Sequence, residues 1–179
     1  MKTDLSKYNT DWYRPGGKLI RFLWFLVNAI FLQSKLNPFS GFKVLLLRLF
    51  GAKIGEWVVV KPGVNIKYPW KLEVGNHVWI GEGVWIDNLD DIVIGNNVCV
   101  SQGAMLLCGN HNYKKSTFDL MIGTIIIEDG VWIGAKSIVT QNVVCESHSV
   151  LSVNSVASSN LESYTIYRGN PAIKVGDRK

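Results

Sequence analysis

Charge is scarce in this sequence. Only 18% of its 179 residues are Asp, Glu, Lys or Arg, against 47% hydrophobic. A chain so poor in charge and so rich in apolar side chains buries a core, and its length suits one domain. Cysteine is scarce as well. Cys99, Cys108 and Cys145 are an odd number without framework spacing, which speaks against a disulfide scaffold and fits a reducing cytosol. Histidine and cysteine do not fall in the pairs that a metal site needs, so no metal is expected. The net charge of +5 favours anionic lipids or phosphorylated ligands, but no nucleic-acid motif accompanies it and no nucleic-acid partner is expected. A basic start followed directly by an apolar run and a cleavage site is missing, so no signal peptide is read at the N-terminus. The apolar run Leu19–Leu32, broken only by Arg21 and Asn28, is too short to cross a bilayer. As a helix it spans roughly 21 Å, against a hydrocarbon core of about 30 Å.

What the sequence does have is a rhythm. From Ile127 an aliphatic or small residue returns every six positions: Ile127, Ile133, Val139, Cys145, Leu151 and Ala157. A second one sits two places before each return, at Val131, Ser137, Val143, Ser149 and Ser155. In a strand, positions two apart share a face, so each hexad is a short strand with an inward pair, followed by a turn. Upstream the period reads Ile54, Val60, Ile66; then Val74, Ile80, Ile86; then Ile94, Val100, Leu106. Each triplet is offset by two further residues. Three hexads make one triangular coil, and the offsets are corner insertions. A short fixed period held across 54–157 argues against an ordinary sandwich and predicts a hexapeptide β-helix. Cys145 takes an aliphatic place in this ladder and reads as a small buried hydrophobe. Trp79, Trp85 and Trp132 fall outside the inward pair. Exposed tryptophans at matching strand positions point to an interface, with packing under the N-terminal helices as the alternative. His77 and His148 fall at turn positions and read as solvated turn residues.

The ladder breaks once. From Leu107 to Ile126, twenty residues follow no six-residue pattern. A loop thrown out from a rigid scaffold is where function tends to reside. It contains Cys108-Gly109-Asn110-His111-Asn112-Tyr113. Histidine titrates nearest neutrality, at about 6.5 when unperturbed, which makes His111 the candidate general base. Cys108 reads either as a nucleophile, if its thiolate were activated beside the base, or as packing. Toward the N-terminus, Pro15-Gly16-Gly17 breaks a polar and aromatic start. The run Leu19–Leu32 follows, Asn37-Pro38 ends it, and a second run covers Phe42–Phe50. Two such helices either dock on the β-helix and cover its open end, or lie in a membrane surface with basic residues near the headgroups.

Ile80-Gly81-Glu82-Gly83-Val84 and Ile133-Gly134-Ala135-Lys136-Ser137 resemble motifs of the hexapeptide-repeat acyltransferases. Leu49-Phe50-Gly51-Ala52-Lys53-Ile54-Gly55, Tyr68-Pro69-Trp70-Lys71-Leu72 and the loop around His111 resemble the colanic acid biosynthesis acetyltransferase family, from about residue 15 to the end. Galactoside and maltose acetyltransferases are similar at greater distance. The resemblance implies an all-β fold, a left-handed parallel β-helix (hexapeptide repeat) with an N-terminal α-helical segment. The helical segment would cover 1–50, the β-helix 51–161 with an active-site loop at 107–126, and a C-terminal tail on the CoA side 162–179. It also implies a cytoplasmic homotrimer, at the inner face of the membrane where the acceptor is lipid-linked. That enzyme would use acetyl-CoA to O-acetylate a sugar of an exopolysaccharide or capsule. His111 would be the catalytic base of a direct transfer, and the turn at Gly134-Ala135 the source of oxyanion donors. Asp87, Asn88 and Tyr113 would bind the acceptor, although Asp-Asn is also good turn chemistry. Trp132, Gly134, Ala135, Val153, Ser158, Ser159, Gly169 and Lys174 would contact CoA. One departure stands out. The family's Thr-Lys pair is Ser158-Ser159 here, which removes a phosphate partner and leaves Lys174 or Arg178 as substitutes. Alternatives on the same fold are amino-sugar N-acetyltransferases, antibiotic acetyltransferases and non-catalytic scaffolds. The loop histidine argues against the last.

Overall fold

The six-residue period becomes three parallel sheets, which are the three faces of a triangular coil. The structure, a computed structural model, describes residues 2–179. The first face stacks Lys53–Ile54, Leu72–Val74, Ile92–Ile94, Ile125–Ile127 and Val144–Cys145. The second stacks Val59–Val60, Trp79–Ile80, Cys99–Val100, Trp132–Ile133, Val150–Leu151 and Thr165–Gly169, and ends on an antiparallel strand, Ala172–Asp177. The third stacks Asn65–Ile66, Trp85–Asp87, Met105–Leu107, Ile138–Thr140 and Val156–Ala157. Register sets each ladder residue on the next. Ile54 pairs with Val74, Val74 with Ile94, Ile94 with Ile127, and Ile127 with Cys145. The 107–126 excursion therefore leaves the stack in register, and the coil after it lands on the coil before it.

The inward residues form one column of core. Val60, Ile66, Ile80, Ile86, Leu106 and Ile133 are all fully buried. Each such side chain contributes about 1.5–3 kcal/mol by leaving water, so the ladder is also the main source of stability. Small inward residues keep their polar atoms bonded where they can: Ser137 Oγ donates to Ser152 O at 2.7 Å. Cys145 is buried as an apolar filler, and burial pushes its thiol up to about 12. Trp79, Trp85 and Trp132 point outward and are exposed, as their place in the hexad requires. His77 and His148 adopt left-handed backbone at their turns.

The N-terminal helices cover the open end of the coil. α1 spans Lys18–Val27 and runs on through a wider π turn, Asn28–Leu32. α2 spans Ser40–Leu49. Trp24 is buried and its Nε1–H donates to Ile66 O at 2.7 Å. Leu32 and Leu47 are fully buried, and Lys43 Nζ reaches Val60 O at 3.3 Å. One side of the hairpin is thus a lid on the first coil. Among the described residues no helix is long and apolar enough to cross a membrane. The residues before α1 form an arm laid across the coil. Tyr13 OH donates to Leu89 O at 2.7 Å, and Asp4 N–H donates to Ser116 O at 2.8 Å.

Candidate active site

The excursion is not irregular throughout. Its base is an antiparallel ribbon, with Gly109 opposite Ile122, Asn110 opposite Met121 and His111 opposite Leu120. His111 is the last residue of the first ribbon strand, so its backbone is held by a ladder while its ring faces the tip. The ring stacks on Phe118, with centroids 4.4 Å apart and planes within 8°. Tyr8, from the N-terminal arm, packs on it at 5.6 Å. His111 Nδ1 lies 3.1 Å from Phe118 O. A carbonyl oxygen can only accept, so Nδ1 is the nitrogen that carries the proton in the neutral imidazole, which leaves the lone pair on Nε2. That tautomer is the one a general base needs. Phe118 holds a left-handed backbone, with φ of 51°. A bulky residue there is strained, and such strain collects at functional sites.

Asp87 and Asn88 sit at the corner where the excursion begins. Asp87 faces Leu107 in the third sheet, and its backbone carbonyl accepts from Cys108 N–H at 3.2 Å. Its carboxylate is paired with Lys67 Nζ at 2.9 Å and keeps 16% side-chain exposure. Asn88 is fully buried. Its amide accepts from Tyr68 N–H at 3.0 Å and donates to Tyr68 O at 2.6 Å and Lys71 O at 3.2 Å. The Asn88 amide oxygen and nitrogen are both engaged in tying two coils together. It is the corner piece, and Asp87 alone of the pair can reach a ligand. Tyr113 stands exposed at the ribbon tip, two residues from His111.

The residues expected to hold CoA fall into two groups. Trp132, Gly134, Ala135 and Val153 line one groove of about 660 Å³, together with Gln102 and Arg178. Ser158 and Ser159 are exposed beyond strand Val156–Ala157, at the next corner. Lys174 is engaged by Asp177 at 3.2 Å and Glu162 at 3.5 Å. Gly169 N–H donates to Ser155 Oγ at 3.0 Å. Of the two proposed substitutes for the missing lysine, Arg178 is the one in the groove. It is anchored there by Gly130 O at 2.7 Å and His148 O at 3.1 Å.

The groove runs along stacked turns, and these turns share a geometry. Each carries a left-handed residue in third place: Gly103 in Ser101-Gln102-Gly103, Lys136 in Gly134-Ala135-Lys136 and Asn154 in Ser152-Val153-Asn154. Ser137 N–H closes one of them on Gly134 O at 3.2 Å. This is a type II turn, in which the second residue's N–H points out of the coil. Among the described residues the N–H groups of Gln102, Ala135 and Val153 donate to no protein acceptor, whereas Gly134 N–H is spent on Leu151 O at 2.7 Å. Three free donors therefore lie in file along an apolar groove.

Cys108 is no rival to His111. Its thiol is buried and contacts Asp91 O at 3.9 Å. Burial pushes its pKa up to about 12, so the thiolate that a nucleophile needs is nearly absent at neutral pH. Cys108→Ala is expected to keep most of its turnover, measured as thiol release. Loss of activity on the scale of a His111 replacement would reinstate the thiol.

Tyr8, Tyr13 and Phe118 were not legible as site residues. Tyr8 and Tyr13 lie far from the loop in sequence, and nothing in their local pattern announces that the arm folds back. Phe118 carried one faint signal, an aromatic residue within the only break in the ladder.

Among the described residues no group of His, Cys, Asp and Glu is placed to hold a metal ion. No protein-family model matches the chain. An acetyltransferase of Escherichia coli strain K12 named for colanic acid biosynthesis, WcaF, is 33% identical over 176 residues, covering 98% of this chain and 97% of that protein. The galactoside O-acetyltransferase of the same strain is 22% identical over 129 residues, 70% of this chain and 64% of that one. Among solved structures, a hexapeptide-repeat acetyltransferase of Vibrio cholerae O1 biovar eltor, VCA0836, crystallised with acetyl coenzyme A, superposes with a TM-score of 0.82. It is 22% identical, and the match covers 90% of this chain and 88% of that one. At that identity the likeness speaks for the fold, which is the left-handed parallel β-helix.

Proposed function

We propose that this chain, which belongs to the family of acetyltransferases named for colanic acid biosynthesis, transfers acetyl from acetyl-CoA to a hydroxyl of a sugar during assembly of an exported polysaccharide. As a member of that family it is an acetyltransferase. The observation that carries the finer reading is the pairing of an oriented imidazole with a groove of unpaired backbone donors. His111 Nε2 takes the proton of the acceptor hydroxyl while Phe118 O holds Nδ1–H. The acceptor oxygen forms its bond to the thioester carbonyl carbon, and the C–S bond breaks to release CoA thiolate. The free N–H groups of the groove suit the amide carbonyls of a pantetheine arm. Ala135 N–H, rather than Gly134 N–H, is the donor for the tetrahedral oxyanion, since Gly134 is committed to the ladder. Arg178, which lines the groove, is the basic residue offered to a phosphate in place of the missing lysine.

The reading also requires more than one copy. The loop leaves the coil after Leu107, which lies opposite Thr140, while the groove follows the turn at Gly134. Those six residues of chain cover at most about 20 Å, one whole face of the triangle. Within a single protomer, His111 is packed at its own corner by Phe118 and Tyr8. A homotrimer in which the loop of one copy reaches the groove of the next brings base and thioester together, and uses the exposed tryptophans as contact. The enzyme then acts in the cytoplasm, beside the membrane face where lipid-linked sugars are built up.

Thiol release from acetyl-CoA tests the reading. It is expected to depend on added neutral sugar or lipid-linked sugar, with the protein sedimenting as a trimer. Release that responds to amino sugars alone would redirect the assignment to N-acetylation. No release with any acceptor would leave a scaffold.

A further inference from the structure

We infer that the α1–α2 hairpin seats this protein on the surface of an anionic bilayer, with one side closing the coil and the other side lying among the lipid headgroups. Capping and membrane contact are commonly alternatives for a short apolar hairpin. Here they occupy opposite sides of the same one. Trp24, Leu32, Val44 and Leu47 are buried against the coil. On the far side Leu19, Phe22, Phe25, Ile30, Leu36 and Phe39 are all at least 59% exposed. In all, twelve large apolar side chains between residues 18 and 49 are exposed. A soluble monomer rarely leaves so continuous an apolar surface in water.

Charge identifies what covers it. Between residues 12 and 55 there is no Asp or Glu, while Arg14, Lys18, Arg21, Lys35, Lys43, Arg48 and Lys53 are all basic. The net charge of the whole chain is +5, so this stretch, at +7, leaves the remainder at −2. Five of these cations, Lys18, Arg21, Lys35, Lys43 and Arg48, lie on the element that carries the exposed apolar side, with Arg48 paired to Glu56 at 3.2 Å. Lys43 is turned inward, but Lys18, at the start of α1, and Lys35, in the turn, are exposed. An apolar face flanked by cations is the pattern of a helix lying in the interface of an anionic membrane. A second copy of this chain fits poorly. A self-contact on this surface would set the exposed cations Lys18 and Lys35 against their own copies. The hairpin cannot span, so the contact is in the plane of the membrane.

The placement bears on the acceptor. Arg21, Phe25 and Asn28 of the hairpin wall a hollow of about 370 Å³ that also contains Trp85, Lys67 and Asp87. Arg21 Nε is buried there without a hydrogen-bond partner. Docking brings this hollow to headgroup level, where a sugar carried on a lipid phosphate would arrive. That consequence rests on the sugar-acceptor reading above; the docking itself does not.

Flotation separates the two. The full chain is expected to float with phosphatidylcholine vesicles containing phosphatidylglycerol, to stay behind with phosphatidylcholine alone, and to be released by salt. The triple variant Leu19→Ser, Phe22→Ser, Ile30→Ser is expected to bind the anionic vesicles at least about tenfold more weakly. Lys18→Glu with Lys35→Glu is expected to weaken binding in the same direction. The triple variant should keep its sedimentation coefficient and its thiol release with a soluble sugar, which shows that it is folded. An intact chain that ignores anionic vesicles overturns the inference. So does a triple variant that floats like the parent, or one that loses oligomer instead of lipid binding. An active enzyme that does not float sinks the docking and leaves the acetyltransferase reading standing. A floating enzyme with no transferase activity does the reverse.

Discussion

His111→Ala is expected to lose between about a hundred- and ten-thousand-fold of turnover, because general-base catalysis contributes on that scale. That range corresponds to roughly 2.7–5.5 kcal/mol of transition-state stabilisation. Two other properties should not move. The groove proposed for acetyl-CoA, lined by Trp132, Ala135 and Val153, follows a different corner of the same protomer. In the proposed trimer the exposed tryptophans of the coil supply contact that does not depend on the imidazole. The ribbon itself is held by backbone pairing between Gly109–His111 and Leu120–Ile122, so it survives loss of the imidazole. The signature is therefore a fall in kcat with the dissociation constant for acetyl-CoA unchanged. A variant that turns over like the parent would remove His111 from the mechanism. A variant that loses acetyl-CoA binding would show that the loop shapes the groove and that the loss is not one of proton transfer.

Gly134→Ala is expected to damage stability and substrate binding together. A Cβ built on Gly134 would lie 2.6 Å from Val153 N and 2.7 Å from Leu151 O. Both are backbone atoms of the next coil, so no rotamer change relieves the clash. The coils must part locally, at the point where Gly134 N–H meets Leu151 O and where the free donors of Ala135 and Val153 are aligned. Overpacking of this kind costs about 1–3 kcal/mol. For a chain of this size that is a fall in melting temperature of roughly 2–12 °C, at fixed protein concentration. Acetyl-CoA should bind more weakly as well, because the donor file is displaced. Gly176→Ala is the control: a Cβ there meets nothing within 4 Å, and both properties should stay as they are. If Gly134→Ala melts lower but binds acetyl-CoA normally, the groove is not where the pantetheine arm lies.

Much of this was legible in the sequence, for a physical reason. A β-helix repeats one local decision, and its core is a period in the chain, so Ile54, Val60 and Ile66 announce the first coil by spacing alone. The break in the period exposed the excursion and His111 within it. Outward Trp79 and Trp132 followed from the same alternation. What stayed hidden depends on contacts between distant segments. The arm that sets Tyr8 on His111 and Tyr13 OH on Leu89 O crosses more than seventy residues of chain. The tautomer of His111 depends on a carbonyl aimed by the left-handed turn at Phe118, which no side-chain pattern records. Asn88 looked like a ligand contact because polar corner residues and polar binding residues are the same residue types. Only its three bonds to Tyr68 and Lys71 decide between them. The spread of the expected CoA residues has a related cause. Hexad position places Ser158 and Ser159 after Val153 in sequence, but one further face lies between them in space.

The fate of a labelled acetyl group tests the central claim most directly. Acetyl-CoA labelled in the acetyl group is mixed with enzyme and a sugar acceptor, quenched during turnover, and the label located by mass spectrometry. Direct transfer with His111 as base predicts label on acetyl-CoA and on a sugar oxygen, as an alkali-labile ester, and none on the protein at any time. Label trapped on Cys108 or any other side chain, or recovered only as an amide on a sugar nitrogen, would contradict it.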